Sequence, residues 1–206
     1  MRALSCLATT LLTSAICGAA LAADVEPATQ QAAEKLATKC ATCHGAGGRS
    51  SLSPFPNLAA QPAPYLEGQL KAFRDQTRAD PDAQAYMWGM ASQLDDTKIT
   101  ALAAYYAAQT PARGQPGNAK LIAEGKIIFE KGMPEQGIPS CNVCHGAKAE
   151  GKNIYPRLAG QYSPYLLKQV LLIQNALRLA PVMHGLIKNM TRDEMLAVTT
   201  YLASIG

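Results

Sequence analysis

The chain has 206 residues, of which 19 are Lys or Arg and 15 are Asp or Glu, so its formal net charge is +4. Basic residues do not form a run interleaved with aromatic residues, and the sequence therefore does not indicate nucleic-acid binding. Beyond the N-terminal segment, polar residues interrupt every apolar run before it reaches transmembrane length. We therefore expect a soluble mature protein.

Residues 1–22 have the features of a cleaved secretory signal peptide. Met1-Arg2 precedes an apolar stretch over residues 4–21, and Ala20-Leu21-Ala22 is a triplet of the kind that signal peptidases cut. A retained membrane anchor is the alternative, since this stretch is nearly long enough to span a bilayer. We expect cleavage and export to the periplasm.

The six cysteines are distributed in a way that limits their chemistry. Cys6 and Cys17 fall within the predicted signal peptide, so the mature chain would keep four cysteines. Those four all lie in two short motifs, which leaves none for a disulfide bond.

Both motifs have the pattern Cys-x-x-Cys-His. They are Cys40-Ala-Thr-Cys43-His44 and Cys141-Asn-Val-Cys144-His145. This pattern marks covalent haem attachment, in which two thiols add to the vinyl groups and the histidine is the proximal iron ligand. A redox-active cysteine pair or half of a zinc site would not explain a histidine directly after both copies. We therefore predict two covalently bound haem c groups.

The two halves of the chain repeat beyond these motifs. Residues 55–61, Phe-Pro-Asn-Leu-Ala-Ala-Gln, match residues 155–161, Tyr-Pro-Arg-Leu-Ala-Gly-Gln. The match continues from residues 64–70 to residues 164–170, and both segments are predicted to be helices that open with proline. The repeat predicts two domains of similar structure.

The last predicted helix of each half begins at a capping residue. Asp95 and Thr191 are the predicted N-caps, and Thr191 with Glu194 has the pattern of a capping box. Helical spacing of apolar residues dominates and strand-like alternation is nearly absent, so we predict an all-α fold with about three helices around each haem.

Proline and glycine concentrate between the halves, which predicts a linker at residues 111–118. The first domain is then predicted at residues 24–110 and the second at residues 119–206. Each has about 90 residues, a size at which the apolar core is marginal. We expect the haem to complete it.

Two six-coordinate haems need four axial ligands, but the chain has only three histidines, so at least one ligand must be another residue. Methionine is the usual partner in c-type electron carriers. Met87 and Met183 each lie eight positions before the caps Asp95 and Thr191. Because the repeat places them equivalently, we predict that they are the distal iron ligands.

Three neighbouring residues are alternatives. Met90 and Met190 fall opposite leucines in the repeat, and we interpret both as core residues. His184 directly follows Met183 and could give a bis-histidine site of lower potential. Its counterpart in the repeat is Trp88, which cannot coordinate iron.

Pro56 and Pro156 follow the proximal histidines by twelve and eleven residues. A proline carbonyl at this position could accept the Nδ1 proton of the imidazole and fix its orientation. A simple turn is the alternative for both prolines.

The two Cys-x-x-Cys-His motifs, the repeated Phe/Tyr-Pro-x-Leu-Ala segment and the methionine before each last helix resemble the two-haem cytochrome c4 family. The resemblance covers nearly the whole mature chain. It implies two class I cytochrome c domains related by a pseudo-twofold axis, with both haems His/Met-ligated and their propionate edges near the domain interface. The family's axial methionines correspond in position to Met87 and Met183. The glycine and aromatic residue typical of the family's first helix, Gly125 and Phe129, occur only in the second half.

The same resemblance implies a periplasmic carrier that shuttles single electrons from a quinol-oxidising complex to a terminal oxidase or reductase. We expect redox proteins of the respiratory chain as its partners and a monomeric state, and peripheral membrane association is left open. A cytochrome subunit of a larger dehydrogenase, such as a flavocytochrome sulfide dehydrogenase, is the alternative. A two-haem enzyme is disfavoured, because six-coordinate iron leaves no position for a substrate.

Overall fold

The computed structural model describes residues 27–206, and the predicted signal peptide lies outside them. This part of the chain forms two helical lobes. The first lobe contains α1 (Pro27–His44), α2 (Ala63–Arg74), α3 (Trp88–Ala91) and α4 (Asp96–Ala107). The second lobe contains α5 (Ala119–Lys131), α6 (Asn142–His145), α7 (Ser163–Gln174), α8 (Pro181–Ile187) and α9 (Arg192–Ser204).

Three long helices and several short ones make up each lobe, which confirms the predicted all-α fold. A π-helical turn at Ala83–Met87 leads into α3, and 3₁₀ turns occupy Ala46–Gly48 and Pro134–Gln136. Between residues 27 and 206 the only β-structure consists of isolated bridges. In the same range, no helix is both long and apolar enough to cross a bilayer.

The predicted N-caps are confirmed, whereas the two prolines expected at the first helical position lie one residue later. Asp95 caps α4, its side chain accepting a hydrogen bond of 2.8 Å from the N–H of Lys98. Thr191 and Glu194 form the full capping box at the start of α9. The prolines Pro64 and Pro164 each occupy the second position of a helix, where a missing N–H costs no helical hydrogen bond.

Each lobe has its own apolar core, in which the other long helices of the lobe pack against its last long helix. In the first lobe α4 packs against α1 and α2, and in the second α9 packs against α5 and α7. The core residues of the first lobe are Ala37, Leu66, Leu102, Ala103 and Tyr106. Those of the second include Phe129, Leu166, Ile173, Met195 and Tyr201.

The contact between α5 and α9 depends on Gly125. A Cβ at this position would lie 2.1 Å from the carbonyl oxygen of Ala197, so the two backbones approach more closely than any larger residue permits. Phe129, one turn later, is fully buried. In the first lobe, α1 instead buries Ala33 and Ala37, which are four residues apart, as Gly125 and Phe129 are.

The segment between the lobes is extended and packs against the second lobe. The N–H of Gln115 donates a hydrogen bond of 2.8 Å to the carbonyl of Ala203 at the end of α9. At Gly114, a Cβ would lie 2.2 Å from the carbonyl oxygen of Ser204. The connection between the lobes is therefore anchored to α9.

Candidate functional site

A single cavity of about 1040 Å³ extends into both lobes, and every predicted haem-attachment and iron-ligand residue lines it. From the first lobe these residues are Cys40, Cys43, His44 and Met87. From the second lobe they are Cys141, Cys144, His145 and Met183. The packing of the lobes thus brings residues that are about a hundred positions apart in the sequence to the same cavity.

The two histidines are held in the same way. His44 ends α1 and His145 ends α6, and both side chains are buried. The Nδ1 of His44 lies 2.9 Å from the carbonyl oxygen of Pro56, and the Nδ1 of His145 lies 3.0 Å from that of Pro156. These contacts confirm the predicted role of the two prolines.

A carbonyl can only accept a hydrogen bond, so Nδ1 carries the proton and Nε2 keeps its lone pair for a metal. Burial lowers the pKa of both imidazoles, and this outweighs the backbone hydrogen bonds, which favour the charged form. His44 and His145 are therefore held as neutral imidazoles of one orientation, which is the form that binds iron.

The cysteines lie in the helical turn that ends at each histidine, at the end of α1 and in α6 with its N-cap. All four are partly exposed, and none of them forms a disulfide bond in the described part of the chain. Burial raises the pKa of the Cys40 thiol, and it raises that of Cys141 to about 11. Redox-active cysteine pairs instead need a lowered thiol pKa, so the environment does not favour that alternative.

Met87, Met90, Met183 and Met190 all line the cavity, but their surroundings differ. Met87 ends the π-helical turn, a feature that often occurs at functional sites, and Met183 lies in the first turns of α8. Met190 is buried in the core of the second lobe, as expected. The interpretation of Met90 as a core residue was wrong, because its side chain is 48% exposed at the mouth of the cavity.

His184 does not line the cavity. Its Nδ1 lies 2.9 Å from the carbonyl oxygen of Ile173 in α7. This contact ties α8 to α7 and gives the side chain a structural role. A bis-histidine second site is thereby disfavoured.

The lining of the cavity fits a haem. Most of its wall is apolar, which suits the porphyrin ring, and its cationic side chains suit the ring's two carboxylates. These cationic residues are Lys39, Arg78, Arg157, Lys168 and Arg178. The Nε of Arg157 is buried and has no hydrogen-bond partner within the protein, which leaves a donor for such a carboxylate.

A pseudo-symmetric polar cluster joins the lobes beside this cavity. Arg78 donates hydrogen bonds to Gln69 of its own lobe at 2.6 Å and to Gln169 of the other lobe at 3.0 Å. Arg178 donates to the same two glutamines, at 3.2 Å to Gln69 and 2.7 Å to Gln169. Each arginine therefore contacts both lobes.

The phenol of Tyr65 belongs to this cluster and accepts a hydrogen bond of 3.1 Å from Arg178. Burial by itself would raise the pKa of Tyr65, but Arg178 and Arg78 together bring it below its ordinary value. Sequence reasoning missed the cluster. The available signal was the recurrence of identical polar residues one hundred positions apart: Tyr65 and Tyr165, Gln69 and Gln169, Arg78 and Arg178.

Two helical lobes, each with a Cys-x-x-Cys-His motif open to an apolar cavity, define a two-haem c-type cytochrome. The chain belongs to the cytochrome c family, whose model, described as Cytochrome c, matches residues 30–108 and again residues 122–206. The tandem match implies two covalently bound haem c groups. The protein is accordingly an electron-transfer cytochrome with two haems.

Similar proteins agree with this arrangement. The chain is 42% identical to cytochrome c-552 of Acidithiobacillus ferridurans, over 83% of this chain and 75% of that protein. It is 36% identical to the thiosulfate dehydrogenase electron acceptor of Thiomonas intermedia, over 86% and 83% of the two chains. The solved structure of Acidithiobacillus ferrooxidans cytochrome c4 is similar with a TM-score of 0.78 and 39% identity, covering 82% of this chain and 99% of that one.

Proposed function

We propose that the protein is a periplasmic carrier that passes single electrons from a quinol-oxidising complex to a terminal oxidase or reductase. The observation that carries the proposal is the position of His44, Met87, His145 and Met183 on one cavity shared by the lobes. A histidine and a methionine for each haem would fill both axial positions of the iron. No position would remain for a substrate, so electron exchange without catalysis is the activity that follows.

The residues of the chain have distinct roles in this proposal. Cys40 and Cys43 attach the first haem, and Cys141 and Cys144 attach the second. Pro56 and Pro156 orient the imidazoles, and the methionine thioethers favour the ferrous state. Bound haem supplies one-electron exchange at its iron.

The direct test is stopped-flow reduction of the ferric protein by a purified quinol-oxidising complex with quinol. We expect both haems to be reduced, as followed in the visible absorption bands, and then reoxidised when a terminal oxidase is added. A protein that is reduced only by small-molecule reductants would contradict the proposed role.

A second candidate is the role of electron acceptor for a thiosulfate dehydrogenase. It is favoured by the 36% identity to the Thiomonas intermedia protein of that name. The same stopped-flow assay separates the two candidates, with thiosulfate dehydrogenase and thiosulfate in place of the quinol-oxidising complex. Size-exclusion chromatography of the mixture distinguishes a free carrier from a permanent subunit, because only the subunit would elute with the dehydrogenase at low micromolar concentrations.

A further inference from the structure

We infer that the side chains of His184 and Trp88, which directly follow Met183 and Met87, hold those methionines in place as iron ligands. The inference rests on the methionine ligands of the function proposed above, and it is independent of which proteins exchange electrons with the haems. It comes from a side-chain N–H that each lobe directs from this position to a backbone carbonyl outside the residue's own helix.

The helix that carries Met183 is held only weakly by packing. α8 has seven residues, a length at which a helix is marginal on its own. Ile187 is its only buried residue, and Pro181 and Val182, which precede Met183, are exposed. Burial of apolar surface therefore does not fix the turn that carries the methionine, and other contacts of α8 must do so.

His184 provides such a contact in the same turn. Its Nδ1 lies 2.9 Å from the carbonyl oxygen of Ile173, in the last turn of α7. Because a carbonyl only accepts, Nδ1 is the donor. Met183 lines the cavity and His184 does not, so the two side chains leave different faces of α8. A displacement of this turn that takes Met183 out of the cavity also stretches the bond of His184.

A second contact fixes the other end of α8. The side-chain amide of Gln174, the last residue of α7, donates hydrogen bonds to the carbonyls of Ile187 and Met190 at 3.3 and 2.8 Å. These carbonyls lie at the end of α8 and just beyond it. The bond of His184 is therefore the one that holds the turn of Met183 itself.

The first lobe has an equivalent link made by a different side chain. The Nε1 of Trp88 donates a hydrogen bond of 2.8 Å to the carbonyl of Arg78, in the loop that follows α2. Trp88 also packs near Phe73, the residue that corresponds to Ile173 in the repeat. Indole and imidazole share a ring N–H, and this donor is what the position after each methionine has in common.

The test is the rate of cyanide binding to the ferric two-haem protein, measured by stopped-flow absorption at saturating cyanide and one pH. Cyanide needs the sixth position of the iron, so its binding is limited by departure of the methionine. We expect His184→Leu to accelerate binding at one haem per molecule by about three- to tenfold, the effect of losing one neutral hydrogen bond. Trp88→Phe should accelerate binding at the other haem, and the double variant should be faster at both.

Two further variants separate the hydrogen bond from a general effect on the fold. His184→Asn keeps an N–H donor close to the position of Nδ1 and should restore the wild-type rate. Asn189→Ala changes an exposed residue that does not line the cavity, and should also bind cyanide at the wild-type rate. The carbonyl of Ile173 keeps the N–H of Ala176 as a partner at 3.0 Å, so His184→Leu should change the urea midpoint little. A purely structural role would instead lower the midpoint and leave the cyanide rates unchanged.

Met183→Ala is the reference for a haem without its sulfur ligand, and we expect rapid cyanide binding at one haem. If this variant binds rapidly while His184→Leu and Trp88→Phe keep wild-type rates, the inference alone is wrong. It is also wrong if His184→Asn is as fast as His184→Leu. If Met183→Ala binds cyanide as slowly as the wild type, the methionine assignment of the proposed function is wrong, and the inference falls with it. Trp88→Phe tests the same inference in the first lobe if His184→Leu does not fold.

Discussion

The side-chain amide of Gln61 pairs with the backbone of Arg157 across the boundary between the lobes. Its Oε1 accepts the N–H of Arg157 at 3.0 Å, and its Nε2 donates to the carbonyl of Arg157 at 2.8 Å. Gln161 makes the same pair of bonds with Asn57, at 2.9 and 3.0 Å. Arg157 directly follows Pro156, whose carbonyl is hydrogen-bonded to His145, and Asn57 follows Pro56 in the same way. Each glutamine thus holds the backbone next to the histidine contact of the other lobe.

This arrangement predicts that Gln61→Ala loosens the lobe interface. The substitution leaves a backbone N–H and C=O without partners in a region shielded from water, which costs about 1–3 kcal/mol. We expect a lower midpoint of urea unfolding for the two-haem protein, with the haem content unchanged.

Gln93→Ala is a suitable control, because Gln93 is exposed and its side chain makes no hydrogen bond in the described part of the chain. The double variant of Gln61 and Gln161 should lose more stability than either single variant. Equal midpoints for Gln61→Ala and Gln93→Ala would show that the pairing contributes nothing to stability.

The features that the sequence predicts well are local. The caps Asp95 and Thr191 were identified because the capping signal lies within four residues of the helix start. The histidine–proline contacts were also predictable, since each spans only eleven or twelve residues and recurs in both halves.

Contacts between the halves were not predictable in the same way. Arg78 and Gln169 are 91 residues apart, and nothing in either segment alone specifies the partner. The exposure of Met90 was missed for a related reason. Helical spacing indicates an apolar face, but it does not say whether that face meets protein or the mouth of a cavity.

Removal of one distal ligand should free one coordination position on the iron of one haem. We predict that Met87→Ala lets cyanide bind the ferric protein and carbon monoxide bind the ferrous protein at one haem per molecule, because a small side chain leaves the sixth position of the iron free. The long-wavelength absorption band given by methionine sulfur on ferric iron should fall to about half.

Met90→Leu is the matched control, since Met90 lies three residues away and lines the same cavity. It should keep the full band and bind neither ligand. The opposite result, with ligand binding in Met90→Leu alone, would assign the first haem's sulfur ligand to Met90.

The close crossing of α5 and α9 predicts a strong effect of Gly125→Ala. The added Cβ would meet the Ala197 carbonyl and the Tyr201 side chain, so the helices must move apart at a cost of about 1–3 kcal/mol. Gly68→Ala in α2 is the control, because a Cβ there meets nothing within 4 Å. That variant should be more stable than the wild type by about 0.4–1 kcal/mol. Thermal unfolding of both variants checks the prediction. It is wrong if the two variants have the same midpoint temperature of unfolding.

The capping box of α9 predicts a pH-dependent contribution to stability. The Glu194 carboxylate accepts hydrogen bonds from the N–H of Thr191 at 2.7 Å and from the Gln136 amide at 2.8 Å. Burial alone would raise the pKa of Glu194, but these hydrogen bonds hold it below its ordinary value of 4.5. Because the folded pKa is the lower one, the stabilisation is present above pH 4.5 and is lost as the pH falls through the folded pKa.

We therefore expect Glu194→Gln to be less stable than the wild type at neutral pH, where the charged carboxylate is the better acceptor and faces the positive end of the helix dipole. The difference in urea midpoint should shrink as the pH falls from about 7 to well below 4.5, since the wild-type side chain is progressively protonated as the pH approaches its folded pKa. Glu135→Gln removes a similar charge from an exposed residue with no hydrogen bond through its side chain in the described chain, and should show no such trend. A midpoint difference for Glu194→Gln that stays constant over this range would mean that the charge of Glu194 has no part in the cap.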